Sequence, residues 1–375
     1  MDIRYLTAGE SHGKALISII EGMPKGLELD LDLINEELRR RMKGFGRGKR
    51  MSIEKDRVEI LSGTRKGKTI GSPIALLIKN KDFKIESLPS ISCPRPGHAD
   101  LAGILKFADA DARDILERAS ARETAARVAI GAVAKTLLRE FRVDFLSHTV
   151  MIGGVLAEKD FTFARMKLLA EASPVRCADK EASRLMCLEI KKAKEDGDTL
   201  GGIFEVIVKG VTPGLGNYAQ WDRRLDGNLS RAVMSIPGVK GVEIGAGFGV
   251  AFERGSALHD GILFNRKTKK FSRSSNNAGG LEGGITNGED IVIKAAMKPI
   301  ATLKNPLDSV NVKTGAKKKA QVERADVCVV PSCGVIAENV CAIEIARSMK
   351  EKFGGDSLSE MKRNYEGFIK AIRNI

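Results

Sequence analysis

Short apolar stretches, rich in Val and Ile and bounded by Gly or Pro, recur along the chain. This pattern is typical of β-strands. The predicted strands are Ile17–Gly22, Arg57–Leu61, Pro73–Ile78, Ile203–Val211, Asp260–Phe264 and Asp290–Ala295. We therefore expect β-strands at intervals along the chain.

Between these strands, apolar residues three or four positions apart predict helices. Such residues run from Leu31 to Met42, and Asp30 before them is a suitable N-cap, so a helix is expected over Asp32–Met42. Small residues lie on nearly every side of Ala121–Phe141, which indicates a buried and closely packed helix. Two further helices are predicted over Asp179–Lys194 and Ile336–Phe353.

The size and composition of the chain favour one large domain. With 375 residues and 43% hydrophobic content, the chain can bury a sizeable core. No internal repeat or linker divides it, so we expect a single mixed α/β domain over residues 1–375. No apolar stretch approaches the roughly 20 residues of a membrane helix, and no leader is recognisable. A soluble cytoplasmic protein without a membrane partner is therefore expected.

The net charge of +14 predicts a surface or cavity that attracts anions. Nucleic acid and phosphorylated small molecules are both candidates. Only 5% of residues are aromatic and one is Trp, so aromatic platforms for single strands are scarce. A basic nucleic-acid-binding protein nevertheless remains the alternative to an enzyme.

Two familiar kinds of site are not supported by the motifs. The segment 63–69 resembles a phosphate-binding loop, but it has three residues between its glycines where that motif requires four, and Pro73 follows where a helix should begin. Only four histidines exist, and none has a paired metal-ligand spacing. We therefore expect neither a nucleotide-binding kinase nor a metal site.

Two histidines lie in bends that contain glycine. His12 belongs to Gly-Glu-Ser-His-Gly, and His98 belongs to Arg-Pro-Gly-His-Ala-Asp. Each has a carboxylate two residues away, Glu10 and Asp100, which can tune an imidazole toward proton transfer near neutral pH. From the residues alone, a structural role explains these histidines as well as a catalytic one.

Two groups of basic residues are candidates for binding anions. Arg39–Arg50 contains seven cations, no acid and alternating glycines, so its backbone can fold closely around a ligand that guanidinium groups grip. A solvated or nucleic-acid-binding stretch is the alternative. The second group is Arg113, Arg118, Arg122 and Arg127, which runs into the Ala-rich helix. Internal Glu partners and a multiply anionic ligand explain this group equally well.

Taken in order, eight segments resemble the successive motifs of the chorismate synthase family over essentially the whole chain. They are Gly9–Gly13, Arg40–Met51, Arg95–Asp100, Ser120–Gly131, Val233–Gly247, Asn277–Thr286, Lys298–Thr302 and Arg324–Cys328. The resemblance implies a lyase that converts 5-enolpyruvylshikimate 3-phosphate to chorismate and phosphate by anti-1,4-elimination, using reduced FMN without net redox change. It also implies a β-α-β sandwich, with a helical core between antiparallel sheets, assembled as a homotetramer.

The resemblance also implies roles for individual residues. His12 would protonate the departing phosphate and His98 would protonate or stabilise the reduced flavin, while Asp326 would help the ring proton leave, with Ser11 and Ser120 as relay hydroxyls. Substrate anions would be held by Arg41, Arg47, Arg50, Arg122 and Arg127. Flavin contacts would come from Arg118, Ala119, Ser120, Pro237, Gly238, Gly283, Lys298, Pro299, Ile300, Ala301, Thr302 and Arg324.

The chain departs from the usual family pattern in three regions. Ala119 stands where many members have Ser, so one hydroxyl on the flavin side is missing. Pro237-Gly238 replaces a frequent Asn-Ala, which makes those expected contacts backbone-only. Around Asp326 the residues differ from the usual Arg-His-Asp-Pro, and Ser332 stands near a position where Arg is often found. Whether the flavin is reduced by NADPH on this chain or by an outside reductant stays open.

Overall fold

The computed structural model describes residues 2–48, 53–158, 161–323 and 326–375. The strands are β1 (Arg4–Ala8), β2 (Ala15–Glu21), β3 (Val58–Ile60), β4 (Thr64–Arg65), β5 (Lys68–Thr69), β6 (Ile74–Lys79), β7 (Asp144–Ile152), β8 (Val155–Leu156), β9 (Gly202–Lys209), β10 (Val239–Ile244), β11 (Ile262–Asn265), β12 (Lys270–Arg273), β13 (Leu281–Glu282), β14 (Ile285–Thr286), β15 (Ile291–Met297), β16 (Asp308–Val310) and β17 (Lys317–Lys319). The α-helices are α1 (Leu31–Met42), α2 (Asp100–Phe107), α3 (Arg113–Arg118), α4 (Thr124–Arg139), α5 (Phe163–Ala172), α6 (Lys180–Glu195), α7 (Leu225–Met234), α8 (Gly255–Leu258), α9 (Val330–Phe353) and α10 (Leu358–Ile372).

Helices α1 and α6 each begin after an aspartate that caps the first turn. The Asp30 carboxylate accepts hydrogen bonds from the backbone N–H groups of Asp32 and Leu33, and Asp179 caps α6 in the same way. These contacts satisfy donors that the first helical turn leaves without partners. Both predicted helices are therefore confirmed, with bounds within one residue of those expected.

Two antiparallel sheets form the outer layers of the protein. One has the strand order β1-β2-β6-β3, and the other has the order β10-β15-β9-β7-β8. Apolar residues alternate along the first sheet, so that Leu16 and Ile20 of β2 face inward while Ile17 and Ile19 are partly exposed. The inward faces of both sheets are covered by helices.

Helices α4 and α9 lie between the two sheets. Helix α4 packs on β2 and β6, whereas α9 packs on β7 and β9, and the two helices cross each other closely. At the crossing, a Cβ added to Gly131 would lie 2.4 Å from Cβ of Asn339, so only glycine fits there. The small residues of α4 therefore allow two helices to fill the space between the sheets. This arrangement confirms the predicted helical core between antiparallel sheets.

A cluster of buried charges joins α1, α4 and α9. We call it the core ion cluster; its members are Glu37, Arg40, Lys135, Glu171, Arg176 and Glu338, and all except the exposed Glu171 are buried. Glu338 of α9 accepts hydrogen bonds from Arg40 of α1 and Lys135 of α4. The cluster contains three cations and three carboxylates, so its charges cancel. Charges are tolerated in a protein core when they are paired in this way.

Two expectations about local structure are wrong. Helix α9 begins at Val330 rather than Ile336. Strand β7 is absent from the predicted set, although it lies inside its sheet between β9 and β8. Across the described residues, no helix combines the length and apolarity needed to cross a bilayer.

Candidate active site

A cavity of about 830 Å³ opens at one end of the helical layer, where the first turns of α4 and α9 meet. Its other walls come from the β1–β2 loop, the end of α1, the loop before α2, and the segments that enter β10 and leave β15. The volume lies in the upper part of the range of about 300–1,000 Å³ that is usual for ligand pockets. Both histidine loops reach this cavity.

His12 lies on the cavity wall with its Nδ1 atom turned toward α3. Nδ1 is 3.0 Å from Oε2 of Glu117, and the backbone N–H of His12 donates to the same oxygen at 2.8 Å. The expected partner, Glu10, is an exposed residue of the same loop. The proposed tuning carboxylate is therefore corrected from Glu10 to Glu117. Burial favours a raised pKa for Glu117, but hydrogen bonds and charge from His12 and the charge of Arg113 lower it.

His98 has the carboxylate partner that the sequence predicts. Its Nδ1 atom is 2.5 Å from Oδ1 of Asp100, and Arg95 binds the same carboxylate through its backbone N–H and its guanidinium group. Burial opposes ionisation of Asp100, yet the hydrogen bonds from His98 and Arg95 hold the pKa of this carboxyl well below its usual range. Arg95 also donates to the hydroxyl of Thr302 at 2.8 Å, which connects this loop to the end of β15.

Three arginines bring positive charge to the cavity from different elements. Arg41 closes α1, Arg47 lies in the loop after it, and Arg122 lies in the 3-10 turn Ala121–Glu123 that leads into α4. Burial lowers the pKa of Arg41 to about 9; Asp56 opposes this shift, and the charges of Arg122 and Arg47 add to it. The three guanidinium groups are therefore close enough to repel one another, which favours a bound anion.

Two buried guanidinium nitrogens on this wall remain unsatisfied. Arg122 pairs with Asp56 at 2.7 Å and donates to Asn80, and Arg41 donates to Thr124 and to the carbonyl of Ala121. Even so, Nη1 of Arg41 and Nη2 of Arg122 have no hydrogen-bond acceptor within the described ranges of the chain. Buried donors without partners are costly, so these two atoms indicate where ligand oxygens would bind.

Asp326 lies on the cavity wall. Its carboxylate pairs with Arg47 at 3.0 Å and accepts from the backbone N–H of Gly48 at 2.5 Å. Near His12, the Ser120 hydroxyl donates to the Ser11 hydroxyl at 3.2 Å. The predicted carboxylate and both predicted relay hydroxyls therefore lie around one cavity.

The charge of the cavity is strongly positive. Among the described residues, seven cations and two acids line it: Arg41, Arg47, Lys84, Arg95, Arg122, Lys240 and Lys298 against Glu323 and Asp326. The first turns of α4 and α9 add the partial positive charge of helix N-termini. Burial, together with the charge of Lys240, lowers the pKa of Lys298. The arrangement is suited to a molecule that carries several negative charges.

The remaining predicted flavin contacts divide into two groups. Ala119, Pro237, Gly238 and residues 298–302 line the cavity. Arg118 does not; its guanidinium donates to backbone oxygens of Thr7 and Gly9. Gly283 lies in the exposed turn between β13 and β14, away from the cavity. Arg324 lies outside the described residues.

One predicted substrate arginine, Arg127, does not line the cavity. Arg127 pairs with Glu123 at 3.0 Å and donates to the hydroxyl of Ser235 at 2.8 Å, so an internal Glu partner satisfies it. Arg122 also has internal carboxylates, but unlike Arg127 it faces the cavity. Arg50 lies outside the described residues.

Several residues of the site were missed by sequence reasoning. Glu117 is 105 positions from His12, and no spacing rule connects them. Arg95 was part of a recognised motif without being given a role. Lys240 places a positive charge on the cavity wall, a position that becomes evident only from the fold. Asp56 pairs with Arg122, although Asp56 belongs to a segment without a recognisable motif.

Fold and site together are those of an enzyme whose cationic, histidine-flanked cavity suits a small anionic molecule. Residues 3–349 match the family model for chorismate synthase. Chorismate synthases from Acidobacterium capsulatum and Symbiobacterium thermophilum are each 51% identical to this chain, with 99% of both chains covered in each comparison. A crystal structure of a chorismate synthase superposes with a TM-score of 0.84 at 42% identity, covering 100% of this chain and 99% of the other. The chain belongs to the chorismate synthase family and is a lyase.

Proposed function

We propose that this lyase converts 5-enolpyruvylshikimate 3-phosphate to chorismate and phosphate by anti-1,4-elimination. The observation that carries the proposal is the pair of unsatisfied buried guanidinium nitrogens, on Arg41 and Arg122, in a cavity that also holds His12 and His98. The substrate carries two carboxylates and one phosphate. Such a set of anions supplies the acceptors that the cavity lacks.

The residues of this chain would share the work of the elimination. Arg41, Arg47 and Arg122 would hold the anionic groups and fix the substrate. As the carbon–oxygen bond to phosphate breaks, His12 would give its Nε2 proton to the leaving oxygen. The ring proton would leave with the help of the Asp326 carboxylate, and the electrons of the broken C–H bond would form the new double bond. General acid–base groups of this kind contribute roughly 10²–10⁴ in rate.

The side of the cavity formed by residues 234–240 and 297–302 fits a flavin. Its apolar surface, from residues such as Ile236 and Met297, suits an aromatic ring system, and Lys240 and Lys298 suit a phosphate. Reduced FMN, when bound, would lend electron density to the substrate and recover it, so that no net redox change occurs. Backbone groups of 237–238 would take the place of side-chain contacts, and His98 would hold or supply a proton on this side.

Nothing specific in the described residues favours nucleic acid over a small anion. The cations discussed above converge on a concave site, whereas a nucleic-acid surface would place them along an exposed track. The homotetramer remains a prediction from the resemblance, and the cytoplasmic location remains a prediction from the sequence.

An anaerobic turnover assay tests the proposed function. With reduced FMN and the enolpyruvyl substrate, wild-type protein should release phosphate, and His12→Ala and His98→Ala should each lower kcat by about 10²-fold or more. His259→Ala is the matched control, because His259 is exposed and outside the cavity lining.

A double His12/His98 variant with full activity would refute the assignment, as would a wild-type protein that releases no phosphate. Repeating the assay with oxidised FMN and NADPH as sole reductant decides between internal and external flavin reduction. Titration with an oligonucleotide at two salt concentrations tests the alternative, since nucleic-acid binding should weaken steeply with salt.

A further inference from the structure

Glu117 is a buried carboxylate that attaches the His12 loop to α3 at three points. Its backbone carbonyl accepts from the N–H of Ser11 at 2.9 Å. Its side chain, with 0% exposure, accepts from the backbone N–H of His12 at 2.8 Å and lies 3.0 Å from His12 Nδ1. The orientation of the imidazole is therefore set by a single residue of another element.

The contacts of Nδ1 decide which nitrogen of His12 can exchange a proton. Both side-chain atoms near Nδ1 are oxygens of Glu117, at 3.0 and 3.1 Å. An ionised carboxylate only accepts hydrogen bonds, so Nδ1 must carry a proton in both the neutral and the charged imidazole. Nε2 is 3.9 Å from the carboxylate of Asp82, which is beyond hydrogen-bond distance. The exchangeable proton is therefore the one on Nε2.

Arg113 adds to the contacts from His12 that favour the ionised form of the Glu117 carboxylate. The two residues are one helical turn apart in α3, with Nη1 of Arg113 3.4 Å from Oε1 of Glu117. Arg113 is buried and fixed in turn by the carbonyl of Pro89 at 2.9 Å and by Glu323 at 3.2 Å. A buried cation beside it favours the charged form of Glu117.

The second histidine is not fixed in the same way. At His98, Nδ1 lies 2.5 Å from the Asp100 carboxylate but also 3.0 Å from Nη2 of Arg95, so it meets an acceptor and a donor together. These contacts do not select one tautomer. Of the two histidines on the cavity wall, His12 is the one whose proton position is determined by its surroundings.

We propose that Glu117 is a positioning residue for the elimination, which holds Nδ1 of His12 protonated and directs the Nε2 proton to the departing phosphate. This inference rests on the proposed function. In the step concerned, the Nε2–H bond breaks and an O–H bond forms on the leaving phosphate. The imidazole that remains is neutral and still donates from Nδ1 to Glu117, so no group has to move.

Replacement of Glu117 tests this role. Glu117→Gln keeps the size of the side chain, removes its charge and can donate to Nδ1, which favours the wrong tautomer. We expect kcat to fall about 10- to 100-fold, as for other residues that orient a reactive histidine. KM should stay within about threefold, because the arginines that bind substrate are unchanged. Glu117→Asp retains a carboxylate and should recover part of the lost kcat.

Glu10→Gln is the matched control, since it removes an exposed carboxylate from the same loop, two residues from His12. Its kcat should equal that of wild type. Folding is checked by circular dichroism, and flavin affinity by fluorescence titration. Should Glu117→Gln not fold, Glu117→Asp carries the test, since its shortened carboxylate should lower kcat at constant KM.

The outcomes separate this inference from the function on which it rests. If neither wild type nor Glu10→Gln releases phosphate, the proposed function fails and this inference fails with it. If wild type turns over and the Glu117 variants match its kcat, only the positioning role is overturned. The role is also overturned if Glu117→Gln and Glu117→Asp lose flavin affinity and raise KM equally, because that pattern indicates general damage to the site.

Discussion

Replacing Glu338 by Gln should lower the free energy of unfolding by about 3–5 kcal/mol, the usual cost of breaking a buried ion pair. Glu338 is fully buried and accepts from Arg40 at 2.7 and 2.9 Å, from Lys135 at 2.6 Å and from Ser147 at 2.6 Å. Burial favours a raised pKa for this carboxyl, but the charges of Arg40 and Lys135 hold it well below its ordinary value. In the variant, three buried cations would face two carboxylates, so one positive charge would lack a partner.

The expected change is large enough to measure by thermal unfolding. At about 2.1 cal/mol/K per residue, the unfolding entropy of 375 residues is roughly 0.8 kcal/mol/K. A loss of about 3–5 kcal/mol in the free energy of unfolding should therefore lower Tm by about 4–6 °C. Glu181→Gln is the control, because its ion pair with Arg184 is exposed to solvent, and its Tm should stay close to that of wild type. If both variants shift Tm by the same small amount, the core ion cluster does not stabilise the fold as argued.

Two further predictions concern the same helical layer. Burial opposes ionisation of Glu171, but hydrogen bonds and charges from Arg176 and Arg40 lower its pKa from 4.5 to about 2. The pairing of Glu171 with these two arginines therefore stabilises the folded state above about pH 4.5, and this stabilisation is lost as the pH falls toward 2. The Tm difference between wild type and Glu171→Gln should therefore narrow below pH 4.5 in a pH series of melts; a constant difference would contradict this. Gly131→Ala should destabilise by about 1–3 kcal/mol in urea unfolding, despite the better helix propensity of Ala, because the new methyl group would overlap Asn339. Gly227→Ala in α7 is the control, because a Cβ there meets nothing within 4 Å, and this substitution should be neutral or stabilising. If both substitutions change the free energy of unfolding equally, the helix crossing is not closely packed.

Local signals explain which elements could be predicted from the sequence. Helix α1 carries its own cap at Asp30, and α4 shows its burial through small residues, so both could be recognised without tertiary information. Strand β7 could not, because Ser147, His148 and Thr149 make it look polar. Those side chains contact Glu338, Glu205 and the carbonyl of Val175, partners that only the folded chain provides.

The start of α9 is a similar case. Pro331 suits the first turn of a helix, but Gly334 is typical of a boundary before the predicted start at Ile336. In the structure Gly334 lies inside the helix, where a Cβ would lie 3.0 Å from the hydroxyl of Ser147 on β7. A close helix–sheet approach therefore accounts for a glycine that the sequence pattern alone presents as a stop.

The active site, too, could be predicted only where local sequence signals exist. Both histidine loops and the arginines of the α1 end could be recognised from residue type and motif. The partner of His12 could not, since Glu117 belongs to a short helix whose position depends on how the loop at 10–13 docks against it. Contacts between segments that are distant in sequence decide which carboxylate serves which histidine.

The walls of the cavity run from Ser11 near the beginning of the chain to Ile336 in the second turn of α9. Synthesis on the ribosome therefore completes every strand of both sheets before the last wall of the site emerges. A nascent chain that ends before α9 would possess both histidine loops but not the cavity wall that α9 forms. Binding of the ligand can thus report that α9 has docked, and products truncated before α9 should neither bind nor compete for substrate.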